Sequence, residues 1–166
     1  MKKIIVSLMA AASLCSAPAA FAQTWSPSGP GVVGTDTIEV RKLLTLICDI
    51  DGGTSINVSG STHQINSLGL SQGSSGSSNC PNIGFTGFPY VVEPAGGTSL
   101  TQVVIRNVVV QGITGNCAGD LLADFDQTTG ELTFSHANTI PATSGIGPCS
   151  LEGIVTTTPA VSYTIP

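Results

Sequence analysis

Charge is scarce in this 166-residue chain, where Asp, Glu, Lys and Arg together make up 9% of the residues. Positive charge is scarcer still, with 5 Lys and Arg against 10 Asp and Glu. Lys2 and Lys3 lie at the very start, so beyond residue 22 the cations are Arg41, Lys42 and Arg106. Such a chain cannot neutralise a run of phosphates, which excludes nucleic-acid binding, and anionic lipid headgroups repel it. Histidine is limited to His63 and His136, and aromatics to 5%. No GxSxG elbow, HExxH pair, phosphate-binding glycine loop or C-x-x-C occurs, nor any haem, di-iron or flavin motif. The residues therefore point away from an enzyme and imply neither cofactor nor resident metal.

Long hydrophobic runs are missing too. The apolar stretch Ile4–Leu14 is too short to span a membrane. Preceded by Lys2 and Lys3 and followed by Ala20-Phe21-Ala22, it reads as a signal peptide over residues 1–22, cleaved before Gln23. Cys15 lies inside it and leaves with it. The expectation is a secreted protein, extracellular or at the cell surface, with residues 23–40 as an extended N-terminal arm or first strand and residues 41–166 as one domain.

What the remaining chain has in abundance is β-branched runs divided by Gly, Ser, Asn and Pro. Examples are "TIEVRKLLTLICDI" (37–50), "SINVSG" (55–60), "GFPYVV" (87–92), "SLTQVVIRNVVVQGI" (99–113), "ELTFSH" (131–136) and "GIVTTTPAVSYTI" (153–165). No window has a helical period. The pattern predicts an all-β domain, a single β-sandwich or flattened barrel, with "SQGSSGSSN" (71–79) as a flexible loop within it.

Cys48, Cys80, Cys117 and Cys149 remain after export, where an even number implies disulfides. Four cysteines allow three pairings. The equal spacings, 48 to 80 and 117 to 149, favour Cys48–Cys80 and Cys117–Cys149. They also suggest two similar halves, with Gly84 overlaying Gly153 and Phe85 overlaying Ile154. In the chain-entropy model each such loop closure contributes about 3.7 kcal/mol.

The densest chemistry is "DFDQTTGE" (124–131). Read as a hairpin with loop "QTTG", it sets Asp126 opposite Glu131 and Phe125 opposite Leu132, with Gly130 in the left-handed position. Leu121, Ala123, Phe125, Leu132 and Phe134 then share a buried side, and Asp124, Asp126, Glu131 and Thr133 the solvated one. His136 extends the buried side as a satisfied strand-end histidine. Asp124, Asp126 and Glu131 form a weak surface calcium candidate, because the like-charge pair would welcome a cation but an EF-hand ligand set is missing.

In "NIGFTGFPYVVEP" (82–94), Phe85, Phe88 and Tyr90 are spaced by Gly84, Gly87 and Pro89. They either plug the core or form an apolar loop end that contacts hydrophobic material. The second reading makes Phe85, Phe88 and Tyr90 the hydrophobic contact surface.

The layout resembles the alkane-oxidation activator proteins, the PraB-like family of small exported bacterial proteins. The matching segments are "LLTLIC" (43–48), "NC" (79–80) with "TGFPYVV" (86–92), "GNCAGDLLADFDQTTGELTFSHA" (115–137) and "PCSLEGIVTTTPAVSYTI" (148–165). Tyr90 stands where the family often has tryptophan. The resemblance implies a secreted, non-catalytic protein that promotes growth on hydrocarbons and is found with extracellular matrix. Its expected partners are a hydrocarbon or other apolar surface, or matrix components. The alternative is a structural subunit of a fibre or biofilm matrix, self-associating by strand exchange through "VVIRNVVV" (103–110) and the arm at residues 23–40.

Overall fold

The computed structural model describes residues 23–34, 37–51, 54–73 and 76–166; the expected signal peptide at 1–22 lies outside them. The described residues form β-strands, with no α-helix among them: β1 (Thr24–Ser26), β2 (Gly29–Val33), β3 (Thr37–Lys42), β4 (Leu44–Ile50), β5 (Ser55–Ser59), β6 (Thr62–Ser67), β7 (Leu70–Ser71), β8 (Gly84–Thr86), β9 (Tyr90–Pro94), β10 (Gln102–Gly112), β11 (Gly115–Asp126), β12 (Glu131–Phe134), β13 (Thr139–Ile140), β14 (Cys149–Thr158) and β15 (Ser162–Thr164). Every pairing between them is antiparallel.

The all-β expectation holds, and the ladder closes. In the order β12–β11–β10–β9–β6–β5–β2–β14, the last strand pairs back to the first and completes an eight-stranded barrel. Strand β14 is long enough to serve two neighbours on each edge. Thr157 and Thr158 pair with β2, while Ser150–Gly153 pair with β3. Its other edge takes β12 and then β13. Strands β3, β4 and β7 thus extend one end of the barrel beyond the closed ring. The proposed boundary at residue 41 falls inside β3. Strands β1 and β2 are paired within the same unit, with β15 and with β5 and β14 respectively.

Strand β10 carries "VVIRNVVV", the edge invoked for strand exchange. It is no edge: β11 covers one side, and β9 and β8 the other. The step from β9 to β8 is bridged by a bulge between Ile105 and Val108. Asn107 takes φ +54° there, and its N–H donates to Asp120 Oδ1 at 3.0 Å. Arg106 locks the bulge from outside, with Nη1 2.6 Å from Asp120 and Nε 2.9 Å from Glu93.

Alternation sets the core. Ile38 and Val40, Ile56 and Val58, Leu121, Ala123 and Phe125, and Leu132 and Phe134 all point inward. One end of the barrel is sealed by the β1–β15 ribbon. Trp25 there lies 4.5 Å from Tyr163 and 4.6 Å from His63, centroid to centroid, and Tyr163 stacks on Phe125. The Trp25 amide donates to Gly60 in the β5–β6 turn, and the Tyr163 amide to Gln127 in the β11–β12 turn.

Both disulfides have the expected partners, Cys48–Cys80 and Cys117–Cys149, with Cα atoms 5.5 and 6.1 Å apart. The overlay of two halves does not extend to the residues that follow them. Phe85 points into the core and Ile154 out to solvent. From the Ser/Gly loop, Ser77 pairs with Ile47 on the free edge of β4 through both its amide and its hydroxyl.

Candidate functional site

The carboxylate stretch is a hairpin in the expected register, Asp124↔Thr133, Phe125↔Leu132 and Asp126↔Glu131, with Gly130 at φ +72°. Each acid has a partner from the protein itself. Gln102 donates to Asp124 at 2.8 Å, the Thr128 amide to Asp126 at 2.7 Å, and the Thr129 hydroxyl to Glu131 at 3.0 Å. The Thr128 amide holds the Asp126 carboxyl below the usual carboxylate range. Among the described residues, no three His, Cys, Asp or Glu side chains converge as a metal site.

His136 departs from expectation. The chain bends after Phe134, and the imidazole lies over the outer face of the sheet rather than on the buried side. There Nδ1 is 2.8 Å from Ser150 Oγ and Nε2 is 2.9 Å from Glu39 Oε1, with Glu152 at 3.5 Å. Sequence reading did not foresee this Ser–His–Glu chain, because its members are far apart in sequence and meet only through the β3–β14 pairing. Its order resembles an activated nucleophile, but its setting does not. Ser150 is buried near the start of β14, between Thr139 of β13 and Arg41 of β3, with His136 against its hydroxyl. The chain of hydrogen bonds ties the β12–β13 turn to β3 and β14.

The aromatic trio does not form the expected contact surface. Phe85 and Tyr90 are buried, and Phe88 is half-buried against Tyr90 at 4.4 Å. The Gly/Pro interruption that reads as an exposed loop is the break between β8 and β9. Inside that break the Tyr90 hydroxyl donates to Thr86 O at 2.7 Å and lies 3.1 Å from Val109 O. It stands in for ladder hydrogen bonds, and burial pushes the phenol's pKa up.

An apolar surface does exist, at the end of the barrel opposite Trp25. Three chain segments meet there: the β3–β4 turn at Leu43, the β10–β11 turn at Ile113–Thr114, and the loop before β14. Leu43 is 64% exposed, Leu44 50%, Ile113 50% and Ile146 75%. Leu44 and Ile113 line one apolar groove with Val40, Leu46, Ile83 and Val110. The segments are cross-braced by Lys42. As an inward-facing residue of β3 it is buried, yet its ammonium finds the carbonyl oxygens of Ser144 at 2.7 Å and Asn116 at 3.1 Å, with Cys117 Sγ at 3.4 Å. A buried ammonium is tolerable only when its protons are so engaged. The Thr114 hydroxyl returns a bond to Lys42 O at 2.9 Å, and the Asn116 amide donates to Ser144 Oγ at 2.9 Å. Gly115, at φ +119°, packs directly on Ser144 and Gly145, and the Cys117–Cys149 disulfide lies beneath.

Residues 40–46, 110–119 and 139–151, which build this end, contain no Asp or Glu. The protein is therefore polar along its barrel axis, acidic over its walls and its Trp25 end, apolar at the other. No helix among the described residues is long and apolar enough to cross a membrane.

Fold and surface together define a disulfide-stapled β-barrel with one exposed apolar end. The chain matches the alkane oxidation protein activator PraA/PraB-like family over residues 1–165, and it belongs to that family. No curated protein and no solved structure matches it.

Proposed function

We propose that this protein is secreted and promotes growth on, or contact with, hydrocarbons by associating with an apolar surface or with matrix, without turnover of its own. The observation that carries this reading is the size of its interior. The barrel encloses an apolar cavity of about 50 Å³, between Val33, Ile65, Phe85, Tyr90, Leu121 and Leu151. An engineered cavity that accepts benzene has about 150 Å³, and pockets for larger ligands about 300–1,000 Å³. A chain of eight or more carbons has no place inside. Any encounter with an alkane then happens on the outside, where the acidic walls favour water and one end does not.

A strain lacking the protein, grown on n-hexadecane with purified protein added back, tests this. The reading expects growth to recover, protein to coat the droplets, and no alkane to be consumed by the protein alone. Conversion of alkane by the purified protein without cells would overturn it.

A further inference from the structure

We propose that the carboxylate-free end is the face that seats on a neutral hydrocarbon surface, with Leu43, Leu44, Ile113 and Ile146 entering the apolar phase. This rests on the surface-contact reading above and gives it a location.

Charge makes the choice of face. Of the other exposed apolar side chains, three sit beside acids: Ile47 pairs opposite Glu39, Ile154 shares a shallow depression with Glu152, and Leu100 shares one with Asp124 and Asp126, while the fourth, Val32, stands singly between Ser55 and Thr158. Pressing those faces onto oil would strip water from a carboxylate, which costs far more than one aliphatic side chain returns. The end around Leu43 has no carboxylate to desolvate, and its one exposed charge, Arg41, sits on a long aliphatic stem that lets the guanidinium stay in water.

The cations decide the kind of partner. The Lys42 ammonium is turned inward onto carbonyl oxygens, leaving only Arg41 exposed, its Nε 3.3 Å from Thr45 Oγ1. A face that binds anionic headgroups presents several free cations, and this one does not. An uncharged apolar phase is the partner it fits. The bracing by Lys42, Thr114, Asn116 and the Cys117–Cys149 disulfide presents the four side chains as a fixed set, so seating requires no unfolding.

Adsorption isotherms on n-hexadecane droplets test the assignment. Compare the parent with Leu43→Asn/Ile146→Ser, in which asparagine suits the positive φ of residue 43, and with the control Leu100→Ser/Ile154→Ser. The first variant should need at least about tenfold more free protein for half-coverage, and the control less than about twofold more. Should the first variant not fold, Ile146→Ser alone, on the most exposed position, should still weaken adsorption severalfold. Equal adsorption by parent and end variant overturns this inference alone, whereas a parent that does not adsorb overturns the surface-contact reading too. Tighter binding to phosphatidylglycerol vesicles than to droplets overturns the neutral partner. A dimer in sedimentation that the end variant abolishes, with droplet adsorption intact, makes the end a contact between copies and also overturns it.

Discussion

The Lys42 ammonium donates to the carbonyl oxygen of Ser144 across 102 residues of sequence, at 2.7 Å. That bond joins the β3–β4 turn to the loop before β14, and the Asn116 carbonyl brings in the third segment. Lys42→Met keeps the aliphatic stem but takes the ammonium from the Ser144 carbonyl, while the Asn116 carbonyl keeps the Thr143 amide at 2.9 Å. A stability loss of about 1–3 kcal/mol is expected in thermal or denaturant unfolding. Faster amide exchange confined to residues 113–116 and 142–146 should accompany it. Uniform loosening of the whole barrel would contradict the bracing role.

His63 governs acid behaviour. It is buried against Trp25, between Val58 and Val92, with neither ring nitrogen hydrogen-bonded to the protein, and burial lowers its pKa from 6.5 to about 4. The unfolded chain takes up a proton between pH 6.5 and 4 that the folded one refuses. Stability is therefore complete above pH 6.5 and falls with pH down to about 4, by roughly 3 kcal/mol in all. His63→Leu should flatten denaturant midpoints across that window. An unchanged slope would place the titrating group elsewhere.

The Tyr90 hydroxyl fills the break between β8 and β9. Tyr90→Phe should cost about 1–3 kcal/mol, because the Thr86 carbonyl loses its buried donor. Replacing Phe88 and Tyr90 together with serine should prevent folding, as judged by loss of soluble, correctly disulfide-bonded protein. A well-folded double-serine variant would show that the ring is not needed in the core.

The hairpin acids should be dispensable. Asp124→Asn with Asp126→Asn should melt within about 2 °C of the parent, as surface changes usually do. Millimolar calcium should leave the melting temperature of both proteins unchanged. The depressed Asp126 carboxyl contributes stability above its unfolded pKa and loses it as pH falls through its lower folded value, so any difference should vanish in acid. A calcium-dependent rise of many degrees that the double variant lacks would restore the metal reading.

The hairpin was legible because period-two alternation and a glycine at the left-handed position agree over its length. The disulfides were legible through their equal spacings. The apolar end was hidden, because "TIEVRKLLTLICDI" reads as one strand. In the fold it is two, reversed at Leu43 with φ +61°, a conformation leucine seldom takes and no turn residue announces. The aromatic trio misled for the opposite reason. Glycine and proline mark loops in sequence, but here they mark a break inside a ladder, which a tyrosine hydroxyl fills. His136 and Ser150 meet only through strand pairing, which local pattern does not encode.

Hydroxyl-radical footprinting of the unmodified protein, free and adsorbed on n-hexadecane droplets, tests the central claim most directly. Seated as argued, the protein should lose labelling at Leu43, Leu44, Ile113 and Ile146 on the droplet, while Leu100, Val32 and Ile154 label as they do in solution. Protection centred on Leu100 or Ile154, with Leu43 and Ile146 still labelled, would contradict the account.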